Sequence, residues 1–287
     1  MNNQTILTVE EAEKLRGGDI RIPEGYARVE SYAFYEREDL TAITVPGSVA
    51  VIEWCSFRNC NNLSHVYIEN GVKEIIDCAF EFCVNLATVY IPKSIWHIGD
   101  NAFIGCIRLA DIDVAPENTS YSSLDGVLFN KVRTVLIQYP VGDMRESYEI
   151  PKGVEKIEEG AFRTSAFDVT GFDEGGYIMK TRKYLEKVII PDGIIEIPSD
   201  AFGNQSRLKC VNIPESVRHI REGAFQNCIS LESLTIPDSI KDIEESAFEG
   251  CTNLSIRCRE GSAAHKYAVE NGIGFELICK VPDFQKL

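Results

Sequence analysis

The sequence lacks the features that mark membrane-spanning proteins and most enzymes. It has no apolar run that approaches the roughly 18 to 20 residues needed to cross a bilayer. It has only 4 histidines and contains no P-loop, no Rossmann glycine pattern, no H-E-x-x-H and no G-x-S-x-G. We therefore expect no membrane insertion, no cofactor, no metal site and no enzymatic activity.

Positive charge is also scarce. The 287 residues include 29 lysines and arginines against 44 acidic residues, a formal net charge of −15 at pH 7. Binding to nucleic acid needs a surplus of basic side chains that neutralise phosphates, and binding to an anionic membrane surface needs the same. The charge therefore argues against both partners. Hydrophobic residues make up 44%, which is ordinary for a folded protein.

The N-terminal sequence, MNNQTILTVEEAEKLRGG, does not have the form of a secretory signal. It has neither a basic segment nor the apolar segment of about 7 to 15 residues that follows one in such signals. We expect either a protein that is cytoplasmic as the sequence is written, or a cell-surface or secreted protein whose signal has been removed.

The dominant feature of the sequence is a repeat of 23 residues, clearest from Leu40 to Cys106. Its unit reads L-x-x-[IV]-x-[IV]-P-x-x-[VI]-x-x-I-x-x-x-A-F-x-x-C, with variation at the small and proline positions. Self-similarity at about 20 to 50 residues predicts a solenoid, in which each coil packs on its neighbours. The phenylalanine that marks the register occurs at Phe34, Phe57, Phe80, Phe103, Phe162, Phe202, Phe225 and Phe248.

Each unit predicts one strand and one corner. The apolar residues of L-x-x-[IV]-x-[IV] alternate, which is typical of a strand with one face inward. The proline that follows ends the strand, because it cannot donate a hydrogen bond to a sheet. We expect the rest of the unit to cross the other side of the coil and to return at a tight corner formed by alanine and phenylalanine.

Residues 20–258 form the predicted solenoid, in which irregular inserts near 115–147 and 163–183 break the period. The first insert contains apolar segments at 127–129 and 135–137 with polar residues between them, which predicts a hairpin. The second insert is glycine-rich and predicts a surface loop.

Residues 1–19 and 259–287 are predicted end caps, each with one short helix. In the first cap, Thr8 and Glu11 have the form of a capping box, and in the second, Ser262 is the predicted N-cap. The other cap signals are an apolar stripe at Val9, Ala12 and Leu15, stops at Gly17-Gly18 and Asn271-Gly272, and a last alternating strand with Ile273, Phe275 and Leu277.

The repeat resembles the BspA-like, or Treponema-type, leucine-rich repeat family, whose 23-residue unit ends in the A-F-x-x-C seen here. The resemblance covers roughly residues 20–278. It implies a curved, right-handed solenoid of the α/β type, mostly β, with short helical caps. It also implies binding to proteins or surfaces, often on the exterior of bacterial or parasite cells. The sequence departs from exported members of the family in showing no signal.

Most of the ten cysteines fall in repeat slots. Five follow the phenylalanine by three residues, and because free cysteine is a readily buried hydrophobe we expect a reduced, buried ladder. Its members are Cys60, Cys83, Cys106, Cys228 and Cys251. Cys55 and Cys78 precede the phenylalanine by two residues on neighbouring coils, about 5 Å apart. They are either two partly exposed thiols or a disulfide. A zinc site shared with Cys60 and Cys83 is not expected, because the two slots point apart.

The outward-facing strand residues form a second ladder, which continues into the later coils at Ile189, Asn212 and Thr235. Tyr67 and Tyr90 stand out in it, because tyrosine combines apolar area with a polar tip and is favoured at interfaces. A solvated sheet face is the alternative interpretation. The candidate partner-binding residues are His65, Tyr67, Thr88, Tyr90, Asp111 and Asp113.

Two functions are consistent with these observations. The first is a non-enzymatic scaffold for protein–protein interactions that presents an extended repeat surface. The alternative is a cell-surface adhesion or host-binding module. The expected partner is a protein, and neither its identity nor the oligomeric state follows from the sequence.

Overall fold

The computed structural model describes residues 5–164 and 185–278. They form two compact units, of which the first comprises the residues up to Arg133 together with Ile137–Asp143 and the second comprises Thr134–Leu136 and the residues from Met144 onward. The predicted insert at 163–183 lies outside the described residues except for its first two positions.

The chain is a mostly-β parallel solenoid of about 11 turns spaced about 23 residues apart, with few helices. The predicted fold class is therefore confirmed. The apolar alternation of the repeat forms the longer strand of each coil, and a buried–exposed alternation along these strands places the apolar residues inside. The proline after Val45 and the one after Ile91 each follow directly on the last residue of a strand, as predicted.

The first unit contains helix α1 (Val9–Lys14) and two five-stranded parallel sheets. One sheet is built, in spatial order, from β1 (Thr5–Leu7), β3 (Tyr26–Val29), β5 (Val51–Ile52), β7 (Glu74–Ile75) and β9 (His97–Ile98). The other is built from β2 (Asp19–Arg21), β4 (Ala42–Val45), β6 (His65–Ile68), β8 (Thr88–Ile91) and β10 (Asp111–Val114). Strands β11 (Tyr121–Leu124) and β12 (Val127–Asn130) form an antiparallel hairpin.

The second unit repeats the arrangement with shorter strands. Residues Val135 and Leu136 of β13 (Val135–Gln138) pair in parallel with β15 (Lys156–Ile157). Its three-stranded sheets are, in spatial order, β14 (Ser147–Glu149), β16 (Lys187–Ile189) and β18 (Cys210–Val211); β17 (Glu196–Ile197), β19 (His219–Ile220) and β21 (Asp242–Ile243); and β20 (Ser233–Thr235), β22 (Ser255–Cys258) and β23 (Gly274–Leu277), with helix α2 (Ala263–Glu270).

The phenylalanine corners form the centre of the core. Phe57 is fully buried between two residues with left-handed backbone, Cys55 at φ 53° and Asn59 at φ 60°. These two reversals turn the chain sharply on either side of the ring, so that it points inward. Rings on consecutive coils stack with centroids 4.9 to 5.7 Å apart, as in Phe34–Phe57, Phe57–Phe80, Phe80–Phe103, Phe162–Phe202, Phe202–Phe225 and Phe225–Phe248.

The predicted cysteine ladder is buried, and its thiols have a specific hydrogen-bonding role. Each thiol donates to the carbonyl oxygen of the preceding coil's phenylalanine, over 2.9 to 3.2 Å for Cys60, Cys83, Cys106, Cys228 and Cys251. Where the slot holds another residue, the side chain still donates to backbone. Gln205 donates to the carbonyl of Phe162, and Arg37 donates to the carbonyls of Ala12 and Leu15 at the end of α1.

The cap helices begin as predicted. Thr8 and Glu11 form a reciprocal capping box on α1, and the side chain of Ser262 accepts from the amide of His265 at the start of α2. One part of the predicted apolar stripe is wrong, because Val9 is exposed while Ala12 is buried. Val9 is the first helical residue and its side chain points away from the first coil.

The predicted inward face of the last strand is also wrong. All four residues of β23 are exposed, including Phe275 and Leu277. The strand is the outermost member of its sheet, so no described coil lies beyond it to cover either side chain.

The first insert forms a tighter hairpin than its apolar segments indicate. Strands β11 and β12 are joined by Asp125 and Gly126, which have φ values of 51° and 79°. Two consecutive positive φ values are the mark of a two-residue hairpin turn, for which Asp-Gly is a favoured pair. The sequence analysis assigned strands to the segments that became β12 and β13 but missed β11, because Tyr121–Leu124 is half polar.

Candidate functional site

The six predicted partner-binding residues lie on one face of one sheet. Strands β6, β8 and β10 run parallel, with His65 paired to Thr88, Thr88 to Asp111, and Tyr90 to Asp113. Alternate residues of these strands are buried, so the six candidates all point outward. The structure therefore brings together His65, Tyr67, Thr88, Tyr90, Asp111 and Asp113, which we call the outer face.

The aromatic side chains of the outer face are open to solvent. Tyr67 is 57% exposed and Tyr90 is 48% exposed. His65 stacks against Tyr67 with ring centroids 6.3 Å apart and 10° between the ring planes. Its Nδ1 lies 2.8 Å from the hydroxyl of Ser64, which further orients the imidazole. The rings are thus held in place while their faces stay accessible.

The hairpin closes one edge of the outer face. The amide of Ile112 donates to the carbonyl of Gly126 over 3.0 Å, and the amide of Val114 donates to the hydroxyl of Ser123 over 3.1 Å. A Cβ at Gly126 would lie only 2.7 Å from a carboxylate oxygen of Asp111, so only glycine allows this approach. The turn therefore occupies hydrogen-bonding positions along β10.

The corresponding positions of the second unit are less available than the ladder predicted. Thr235 is buried, with 9% of its surface exposed. Asn212 uses its side chain internally, donating to the carbonyl of Ile190 over 2.9 Å and accepting from the amide of Ile190 over 2.7 Å. The outward ladder is therefore an open aromatic surface only in the first unit.

A second cluster, which the sequence analysis missed, lies at the corners of neighbouring coils. The thiols of Cys55 and Cys78 and a carboxylate oxygen of Glu81 all lie within 4.8 Å of one another. Arg58 Nε lies 3.0 Å from Glu81 Oε2. Exposed rings stand beside the thiols, with Tyr32 packed edge-on against Trp54 at 4.9 Å between centroids.

The two thiols differ from both predictions made for them. The nine cysteines that the structure describes are free, so Cys55 and Cys78 are not joined. Cys55 is fully buried rather than partly exposed, because its left-handed backbone turns the side chain inward between Tyr32 and Cys78. Burial raises the pKa of Cys55 against the opposing effect of Arg58. Burial, with the charge of Glu81, raises the pKa of Cys78 to about 12.

Comparison with known proteins identifies the repeat. The family model described as BspA type leucine rich repeat region matches in 6 copies, over residues 15–132 and 175–261. The chain belongs to this family. As a BspA-type repeat protein it has the fold predicted from the 23-residue unit, and the family is generally non-enzymatic. No curated protein matches the chain.

Two solved bacterial structures are similar to this BspA-type chain. A leucine rich cell surface protein from Faecalibacterium prausnitzii A2-165 is 29% identical, with a TM-score of 0.67 over 86% of this chain and 67% of that one. The pneumococcal vaccine antigen PcpA is 20% identical, with a TM-score of 0.65 over 92% of this chain and 80% of that one, and shows the shared fold. Among the helices in the described residues of this chain, none has the length and apolar character to span a bilayer.

Proposed function

We propose that this protein is a non-enzymatic scaffold for protein–protein interactions and that its outer face binds the partner. The observation that carries the proposal is the pair Tyr67 and Tyr90, exposed by 57% and 48% on adjacent strands of one sheet. Exposed tyrosines gain apolar contact and a hydrogen bond at an interface, and they lose little side-chain entropy on binding.

The coils beneath the outer face keep its cost of binding low. Strands β4, β6 and β8 are joined by parallel pairing, and the residues between the candidates, such as Val66 and Val89, are buried. A face whose backbone is already fixed pays little conformational entropy when a partner docks, so more of the contact energy appears as affinity.

The proposal is tested by truncating both rings. In Tyr67→Ala/Tyr90→Ala, we expect a partner that is captured by the wild-type protein from the source organism, and then purified, to bind at least about 30-fold more weakly by calorimetry. Trp96→Ala is the matched control, because Trp96 is an exposed aromatic residue, 55% accessible, that lies outside the outer face. It should leave binding unchanged.

The thermal unfolding of the double variant should match that of the wild type, since both tyrosine side chains are largely solvated. Unchanged affinity in a folded double variant, or equal losses in the double variant and in Trp96→Ala, would rule out the outer face as the binding surface.

A cell-surface adhesion or host-binding role is the second candidate. It is favoured by the likeness to the F. prausnitzii protein, which is named a cell surface protein and is 29% identical over 86% of this chain. The experiment is protease treatment of intact source cells followed by detection of this protein. Digestion without cell lysis supports the surface role, and protection until lysis supports an internal scaffold.

A further inference from the structure

The corner cluster brings two thiols and one carboxylate to a single point. Cys55 Sγ, Cys78 Sγ and a carboxylate oxygen of Glu81 lie within 4.8 Å of one another. Cys55 is fully buried, and the side chain of Glu81 is only 13% exposed. Three soft or anionic donor atoms that converge in a sheltered place are the first requirement of a site for a thiophilic cation.

The repeat shows that these donors are unusual for their slot. The position two residues before the phenylalanine has a left-handed backbone in most coils, and in the later coils it is Asn101, Gly160, Asp200 or Gly223, residue types that tolerate this conformation well. In two consecutive coils it is instead Cys55, at φ 53°, and Cys78, at φ 58°. Neither thiol is needed for the turn itself.

The spacing of the coils suits a bridging cation better than a disulfide. Stacked phenylalanines next to the thiols are 5.1 Å apart, which measures the rise from one coil to the next. A disulfide requires Cβ atoms about 3.5 to 4.5 Å apart, so the coils would have to approach each other. Two sulfurs bound to one tetrahedral cation at about 2.3 Å are about 3.8 Å apart, within what the free thiols can reach by side-chain rotation.

We propose that Cys55, Cys78 and Glu81 bind a thiophilic divalent cation of the zinc type. The cation would take two sulfurs and one carboxylate oxygen, and a water molecule or an external donor atom would complete a tetrahedron. The inference is independent of the proposed interaction function.

Charge and protons balance in this site. Each thiol releases one proton to solvent when its sulfur binds the cation, and Glu81 is already ionised beside Arg58. Two thiolates and one carboxylate then face one divalent cation and one guanidinium, so the bound cluster is neutral. A carboxylate can hold Arg58 with one oxygen and the cation with the other. Because protons are released, affinity must rise with pH.

The test uses Co²⁺ as a spectroscopic probe on the full chain under reducing conditions. We expect one Co²⁺ per chain, with a thiolate-to-cobalt charge-transfer band and visible bands of tetrahedral intensity, and bleaching of both on addition of Zn²⁺. Ca²⁺ and Mg²⁺ should not compete, because they prefer oxygen donors.

Three variants locate the site. Cys78→Ser should abolish the charge-transfer band or halve its intensity, Cys55→Ser should do the same, and Glu81→Gln should weaken binding at least about tenfold. Cys210→Ser is the matched control, because its thiol is exposed and distant in the repeat, and it should bind cobalt like the wild type. If the buried Cys55 variant does not fold, the Cys78 and Glu81 variants decide.

Absence of a thiolate band in the wild type, or a band that survives in folded Cys78→Ser and Glu81→Gln unchanged, would overturn the proposal. So would a Cys55–Cys78 disulfide that is found by mass spectrometry to persist in protein treated with reductant and kept anaerobic.

Discussion

The ring of Phe57 lies parallel to the ring of Phe80, with centroids 5.1 Å apart and an angle of 3° between the planes. Phe80 stacks in turn on Phe103 at 5.7 Å, so each inner ring of this column contacts a ring on both sides. The column joins every coil to the next through the same kind of contact, and its inner members carry more of the packing than its ends.

Truncation inside the column should be costly. We expect Phe80→Ala to lower the free energy of unfolding by about 3 to 5 kcal/mol, because it deletes a fully buried ring and leaves a cavity between two others. Phe225→Ala should behave alike in the second unit. Urea unfolding monitored by circular dichroism measures the loss, and unchanged stability in either variant would contradict the column as the core of the fold.

A buried amide should be nearly as important. The Nδ2 of Asn118 donates to the carbonyls of Pro92 and Ile95 over 2.9 and 2.8 Å, and its Oδ1 accepts from the amides of Ser120 and Tyr121 over 2.8 Å each. Because each buried group left unsatisfied costs about 1 to 3 kcal/mol, we expect Asn118→Ala to lose at least about 2 kcal/mol.

The control for Asn118 is Asn253→Ala. Asn253 is exposed and its amide makes one hydrogen bond, of 2.8 Å, to the carbonyl of Ile229. Water can replace that bond, so its loss should stay below about 1.5 kcal/mol. Equal losses from the two variants in chemical unfolding would show that burial of the Asn118 amide has no special role.

A close approach between two turns explains a second sensitive position. Gly71 has φ 128°, and a Cβ there would overlap the carbonyl and Cα of Gly47. We expect Gly71→Ala to cost clearly more than about 1 kcal/mol, since both the backbone conformation and the contact oppose a side chain. Gly25→Ala, at φ 100° with open space around it, tests the backbone alone. Equal melting temperatures for the two variants would rule out the steric part.

Alkaline pH should destabilise the protein partly through Cys78. Its pKa is raised from 9.0 to about 12 in the folded chain, chiefly by burial. The unfolded chain therefore loses this proton at lower pH than the folded chain does, and the stability contributed is complete below about pH 9 and declines as pH rises towards 12. In Cys78→Ser the decline between these limits should be shallower, as measured by urea unfolding at a series of pH values. A parallel decline in both proteins would contradict the raised pKa.

Most of the fold could be predicted because a solenoid applies the same packing rule in every coil. The phenylalanine register and the alternating apolar residues must recur at fixed intervals if consecutive coils are to stack, and that recurrence is visible in the sequence. Strands such as β5 could not be predicted in the same way. Two residues, Val51 and Ile52, are too few to show an alternation.

The sites were harder to predict, for two physical reasons. The outer face follows from strand alternation, so its six residues could be named from the sequence, although Thr235 in the same ladder is buried. The corner cluster depends on where a left-handed residue aims its side chain, and linear spacing does not show this. The hairpin turn did leave a signal, the Asp125-Gly126 pair, which the apolar segments nearby obscured.

The hydrogen bonds between coils have a kinetic consequence. The amide of Ala50 donates to the carbonyl of Ala27 over 2.7 Å, and most backbone bonds between coils likewise join residues about one repeat apart. The entropy lost in closing a loop grows with its length, and folding slows as contacts become more distant in sequence. Within a unit, every further coil closes a loop of the same short length. We therefore expect each unit to nucleate on two adjacent coils and to grow outward, at a speed per coil that does not depend on how many coils it contains.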